Sequence, residues 1–337
     1  MNGVLVIDKP AGLTSHDVVA RLRRILKTKK IGHTGTLDPF ATGVLVMLVG
    51  KATRLAQFLD KDEKAYEALV RFGFETETGD RTGESRVASR ESAMPSVEDV
   101  EAALRGFRGE IEQVPPMYSA KKVEGKKLYE LARKGIEIER KAVAVRISEL
   151  EILEPQRRGD AEKERMGEEE KRSGGDQAID AETRGRGDAG PDSQLITHDS
   201  ELPTWDVGLR VTCSAGTYIR TLAEDIARAA GSAAHLVELR RTRAGKFGLE
   251  QAVTLEELEK MDDPAAILLP MNDAVAHLPE IKLTAEETAK IRNGIKIPAS
   301  PDLADVQIVR LTGTGDELVA IASHGKSEGV IRPRLVF

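Results

Sequence analysis

A chain of 337 residues that is 40% hydrophobic and carries a formal charge of −6 has room for about two domains and a substantial core. Its single cysteine, Cys213, excludes an internal disulfide framework, and no apolar run approaches the roughly 18 residues that cross a bilayer, which excludes a transmembrane reading. The opening Met1-Asn2-Gly3-Val4-Leu5-Val6-Ile7 has neither the cationic start nor the apolar length of a secretory signal, so the expected compartment is the cytoplasm.

In chain order, Gly3 to Ile7 reads as a short buried strand. A Lys-Pro-Ala-Gly turn follows, then a helix with Val18, Val19, Leu22, Ile25 and Leu26 on one face and Ser15 as its expected N-cap. Val44 to Val49 is a second apolar strand, and Tyr66, Ala68, Val70, Phe72 and Phe74 alternate as a half-buried strand does. Ser96 and Asp99 form a capping box before Val97, Val100, Leu104 and Phe107. Strands are expected again from Val143 and across Val207, Leu209, Val211 and Cys213, followed by a helix capped by Thr217, carrying Leu222, Ala223 and Ile226, and ending before Gly231. From about Leu278 a capping box at Thr284 and Glu287 starts a short helix, with strands at Val306 to Leu311, Leu318 to Ala322 and Val330 to Phe337. Strands and helices do not alternate regularly, which favours an α+β fold on a mainly antiparallel sheet over a parallel Rossmann sheet.

The segment from Gln156 to Gln194 holds 8 basic and 11 acidic residues and almost no large apolar ones, so it reads as a disordered insertion between adjacent strands, spanning 156–201. Outside it the basic residues gather in three groups. Arg21, Arg23, Arg24, Lys27, Lys29 and Lys30 form one, Arg240, Arg241, Arg243 and Lys246 a second, and Lys121, Lys122, Lys126, Lys127, Arg133 and Lys134 a third. Each alone is a solvated helix face; together they suggest a basic groove for a polyanion.

The run Gly32-His33-Thr34-Gly35-Thr36-Leu37-Asp38-Pro39-Phe40-Ala41-Thr42-Gly43 is a tightly turning loop between a basic helix and an apolar strand. Asp38, biased toward extended backbone by Pro39, presents a carboxylate at the mouth of a cleft or simply makes a turn. Arg220, in Cys213-Ser214-Ala215-Gly216-Thr217-Tyr218-Ile219-Arg220, lies near a helix start, where a cation opposes the helix dipole and calls for a carboxylate partner, for which Asp38 is a candidate. Cys213 continues an apolar alternation and reads as core; His16 and His33 lack the third ligand and the spacing of a metal site.

These segments, with Lys9-Pro10-Ala11-Gly12-Leu13-Thr14-Ser15, Pro115-Pro116-Met117-Tyr118-Ser119-Ala120 and Tyr129-Glu130-Leu131-Ala132-Arg133, resemble the bacterial TruB family of tRNA pseudouridine-55 synthases, in order over nearly the whole chain. The resemblance implies a pseudouridine synthase core over 1–277, on a mixed, mainly antiparallel sheet, and a small PUA-like RNA-binding β domain over 278–337. It implies isomerisation of a T-loop uridine of tRNA after the base is flipped, with no metal or organic cofactor, no membrane and no required protein partner, by a monomer. It further implies Asp38 as the catalytic aspartate, Arg220 as its ion-pair partner and Tyr66 as the aromatic beneath the base. Tyr218 and Leu239 would shape the pocket, His33 would fill the space vacated by the uridine, and Lys9, Tyr129, Arg133 and the basic groups would contact the RNA. The 156–201 insertion is longer than the family pattern. Two rival readings are a tRNA-folding factor and the catalytic subunit of a guide-RNA particle.

Overall fold

A computed structural model of the chain describes residues 1–86, 94–119, 122–123, 126–132, 135–136, 138–153, 204–299, 307–325 and 329–337. The expected insertion at 156–201 lies outside the described residues.

The larger unit is a nine-stranded sheet. Its strands are β1 (Gly3–Lys9), β2 (Ile31–His33), β3 (Thr42–Val49), β4 (Lys64–Phe72), β5 (Gly109–Gln113), β6 (Val143–Ile152), β7 (Trp205–Cys213), β8 (Ala234–Ala244) and β9 (Phe247–Gly248). They run in the order β1-β3-β8-β4-β7-β6-β5, with β2 on β3 and β9 on β8. All pairings in this sheet are antiparallel except β3 with β8, which run parallel over only two register pairs, Thr42 with Arg240 and Gly43 with Arg241. This is the mixed, mainly antiparallel sheet expected from the sequence. The central strand β8 was not expected: two register shifts and three arginines in eleven residues hide its alternation.

Four helices cover one face: α1 (Ser15–Ile25), α2 (Val97–Leu104), α3 (Ile219–Ala229) and α4 (Leu255–Glu259). They bury Val18, Leu22, Val100, Leu104, Leu222, Ile226, Leu255 and Leu258 against Leu5, Ile7, Leu45, Val70 and Phe72. The opposite face of β1 and β3 is also buried, because Val4, Val6, Val44, Val46 and Leu48 pack against Phe247, Val275, Leu318 and Ile321. Burial on both faces explains why these strands read as continuous apolar runs and not as alternating ones.

The last two residues of that contact belong to a second, five-stranded sheet. It is built from β10 (Glu280–Lys282), β11 (Ile297–Pro298), β12 (Ile308–Thr312), β13 (Leu318–Gly325) and β14 (Val330–Val336), in the order β10-β12-β13-β14-β11. Helix α5 (Ala285–Arg292), with the expected Thr284–Glu287 capping box, closes its own small core of Leu283, Ile291, Val309, Leu311 and Val319. Among the described residues no helix is long and apolar enough to cross a membrane.

Two caps differ from expectation. The N-cap of α1 is Thr14, whose hydroxyl and backbone exchange bonds with Asp17, because Ser15 is drawn inward by another partner. Helix α3 has Tyr218 at its N-cap with no side-chain cap, and the Thr217 hydroxyl instead donates to the Ser214 carbonyl, tightening the turn before the helix.

Candidate active site

The Asp38 loop is fastened from three sides. Ser15 turns its hydroxyl onto Leu37, accepting from its N–H at 2.9 Å and donating to its carbonyl at 3.3 Å, which docks the start of α1 on the loop. Lys9, fully buried, donates through Nζ to the carbonyls of Pro10, Leu13 and Pro39 at 2.9, 2.7 and 3.3 Å. Arg241, also buried, donates through Nε to the Val44 carbonyl at 2.7 Å and through Nη2 to Gly35 at 3.3 Å. The seam between β3 and β8 brings Arg241 there, and only glycine fits opposite it. Gly43 has φ +99°, and a Cβ on it would lie 2.2 Å from the Arg241 carbonyl oxygen.

Arg220, the second residue of α3, holds Asp38. Its Nε lies 2.9 Å from Asp38 Oδ2, while Nη1 and Nη2 donate to the carbonyls of Thr78 and Tyr118 at 2.8 and 2.7 Å. A second carboxylate, Asp80, stands 3.7 Å from Nη1 and is itself bonded by Thr78 and Thr82. Each guanidinium nitrogen therefore has a partner and the group is nearly enclosed at 6% exposure, whereas the Asp38 side chain keeps 34%. One partner is fixed and the other faces open space.

That space is a cavity of about 280 Å³ whose wall includes Asp38, Tyr66, Tyr218, Leu239, Arg220 and Arg241. Tyr66 reaches it from β4, in register with Val211 on one side and Arg241 on the other. Tyr218 is clamped by Gln113, which accepts from its N–H at 2.7 Å and donates to its carbonyl at 3.0 Å. Burial pushes Asp38 above the ordinary carboxylate value, with Asp80 adding to the effect and Arg220 and Lys9 opposing it. Burial likewise raises the Tyr66 phenol, which leaves it a neutral ring at physiological pH, suited to stacking. Lys9 is lowered to about 8, chiefly by burial, with Asp38 opposing.

The arrangement offers a reacting group an anion held by Arg220, an aromatic face from Tyr66 and an apolar wall from Leu239. Among the described residues no three His, Cys, Asp or Glu side chains lie together as a metal site requires.

Several expected site residues fall elsewhere. Lys9 does not reach RNA phosphate, because its ammonium is spent on three carbonyls below the surface. His33, at the end of β2, is half-buried outside the cavity wall, and its Nδ1 lacks a partner among the described residues. Tyr129 also lies outside the wall; its N–H donates to the Ser119 carbonyl at 3.1 Å. Arg133 lies outside the described residues, with Lys121 and Lys134 of the same group. The second basic group is largely consumed: Arg240 pairs with Asp8 at 2.7 Å, Arg241 is buried, Arg243 donates to the Gly245 carbonyl and Lys246 to that of Asp273. Cys213 is core, as expected. The sequence reading missed Asp80, Gln113, Lys64 and the buried role of Arg241; for Arg241 the signal was present, since it falls two residues after the inward Leu239 on a strand.

Comparison with known proteins gives concordant findings. Residues 23–166 match the N-terminal domain of the TruB family pseudouridylate synthases, and residues 220–276 match the C-terminal domain of tRNA pseudouridylate synthase B. The chain is 42% identical to a tRNA pseudouridine synthase B of Solibacter usitatus over 95% of each protein. It is 38% identical to one of Geobacillus thermodenitrificans over the full length of both. Among solved structures, 99% of the chain aligns with 84% of the matched chain in a Cbf5-Nop10-Gar1 complex, at 27% identity and a TM-score of 0.64. An H/ACA ribonucleoprotein bound to a substrate RNA containing 2′-deoxyuridine gives 25% identity and a TM-score of 0.65 over the same shares.

Proposed function

The chain belongs to the TruB family of pseudouridylate synthases, which isomerise uridine, and on that premise we propose how its own residues carry out the reaction on tRNA. A uridine of the T-loop leaves its stack and enters the cavity at Asp38, with Tyr66 beneath the base and Leu239 and Tyr218 at its edges. The N1 to C1′ bond breaks, the freed uracil turns within the cavity, and C5 bonds to C1′ as its proton is lost and N1 takes one up. Bonds are exchanged without net oxidation, so a carboxylate and a dry, shaped site suffice and no cofactor is needed. The ionised Asp38 can add to the nucleoside or remove a sugar proton; a deuterium isotope effect at the ribose C2′ position marks the second route.

The observation that carries this reading is the asymmetric pair: an enclosed Arg220, bonded through each of its three nitrogens, holding a partly open Asp38 at 2.9 Å in the wall of a cavity of about 280 Å³. Residues 278–337 are read as a PUA-like RNA-binding domain and 1–277 as the catalytic domain, acting as a monomer without a protein partner. His33 is read as the side chain that occupies the vacated position in the T-loop.

The decisive experiment pairs two measurements on Asp38→Asn, which retains size and hydrogen bonding but lacks the anion. Filter binding is expected to show tRNA affinity within about threefold of wild type, while tritium release from uracil C5 disappears. Near-normal release excludes Asp38 as the catalytic group. Activity of the purified chain on bare tRNA transcript separates this reading from a guide-RNA subunit, which would be inactive alone.

A further inference from the structure

Among the basic side chains that the structure describes, one cluster remains available to a ligand. Arg23, Arg24, Lys27, Lys29 and Lys30, at the C-terminal end of α1 and the turn after it, are all exposed, and none makes an ion pair among the described residues. Arg21, one turn earlier, is taken by Glu259 at 2.7 Å and Glu256 at 3.3 Å; Arg24 also feels Glu259. Lys51, likewise exposed, joins the group because the Gly50 N–H donates to the Lys30 carbonyl at 2.8 Å.

Cations at a helix C-terminus are favoured by the dipole, which accounts for Arg23 and Arg24 but fades beyond the last turn. Lys27 needs another explanation. The helix ends in a Schellman motif, with the Thr28 N–H on the Arg23 carbonyl and the Lys27 N–H on that of Arg24. The left-handed position of this motif, usually glycine, is held by Lys27 at φ +48°. A side chain is kept where glycine would be easier, and that side chain is a free cation.

The same helix begins on the catalytic loop, through the Ser15 bonds to Leu37. Eleven residues at about 1.5 Å each put the basic end about 16 Å from that contact. We propose that Arg23, Arg24, Lys27, Lys29, Lys30 and Lys51 form a landing surface for the phosphate backbone of the tRNA whose uridine occupies the Asp38 cavity. The proposal rests on the reading of that cavity as the uridine site, and α1 is the rigid spacer between the two.

The test uses the full chain and tRNA transcript, with affinity measured against salt. Lys27→Gly is expected to keep or raise the melting temperature while weakening binding and reducing the slope of log K against log salt by about 0.7–0.9. In Lys27→Gly/Lys29→Gln/Lys30→Gln the slope falls by about 2–3 and affinity drops at least ~10-fold at low salt, with the defect in KM and not in the saturated single-turnover rate. An equal charge change at Arg105, Lys141 and Arg210, exposed elsewhere, leaves the slope nearly unaltered. An unchanged slope in the triple variant overturns the proposal, as does an equal loss in the control, which would reduce the effect to net charge. Parallel assay of Asp38→Asn keeps the two readings apart: normal turnover there removes the cavity assignment, while the salt slopes still judge the surface.

Discussion

The molecule uses its cations in two opposite ways, beneath the Asp38 loop and along the end of α1. Lys9, Arg220 and Arg241 are buried and face backbone carbonyls and the carboxylates of Asp38 and Asp80, so they hold geometry. Lys27, Lys29 and Lys30 are exposed and hold no geometry of their own. A buried cation without its partners is costly and an exposed one is cheap, so charge in the first region is structural and in the second is open to binding.

The contrast is broken most severely at Gly43. Alanine there meets the Arg241 backbone at 2.2 Å from a left-handed conformation, and strands β3 and β8 cannot both keep their places. A loss of about 4 kcal/mol in urea unfolding, with turnover abolished, is expected; a folded, active Gly43→Ala protein would mean that the seam does not position the loop.

Arg241→Met keeps bulk but leaves the carbonyls of Val44 and Gly35 without their donor. Thermal or urea unfolding should register about 2–4 kcal/mol, with Asp38 turnover falling as its loop loosens. Stability within 0.5 kcal/mol of wild type, on the ordinary scale of surface substitutions, would place Arg241 with the exposed cations instead.

The pH dependence sharpens the comparison. Asp38 is raised by burial, so single-turnover rates should climb with pH along an acid limb displaced above that of an ordinary aspartate, and Arg220→Gln, which removes the largest opposing charge, should displace it further. For stability the sign is reversed: a carboxyl raised in the folded state contributes below its ordinary value and loses that contribution as pH rises through the raised one. Urea midpoints of Asp38→Asn relative to wild type should therefore improve from acid to neutral pH; a constant difference would show that Asp38 is not raised.

The smallest effect is expected at the exposed edge. Lys29→Gln/Lys30→Gln should move the unfolding free energy by no more than about 0.5 kcal/mol, whatever it does to RNA binding.

The sequence displayed the parts of this architecture governed by local rules. The capping boxes at Ser96 and Thr284 and the alternation of Tyr66, Ala68, Val70 and Phe72 all lie where periodicity and capping chemistry put them. Asp38 and Arg220 could be paired on electrostatic grounds because an arginine beginning a helix lacks a local partner. Contacts made across the chain were hidden. Ser15 looked like a cap because Leu37, its real partner, is 22 residues away, and Lys9 looked like a surface cation because the three carbonyls around it carry no sequence signature. Arg241 was masked by its neighbours: Arg240 and Arg243 suggest a solvated cluster, and only the alternation of a strand broken by two bulges separates the inward residue from the outward ones.

The two-residue seam between β3 and β8 also bears on how the protein is made. The loop that carries Asp38 is synthesised early, but Arg220 and Arg241, which anchor it, follow roughly 200 residues later, about 10–40 s at ordinary translation rates. During that interval β1 and β3 can pair and Lys9 and Ser15 are in place, while the loop has neither of the two arginines nor a central strand beside it. The site thus closes as a late, non-local event, slow for reasons of topology, and a nascent chain halted before residue 234 would carry Asp38 without the Arg241 side of its cavity.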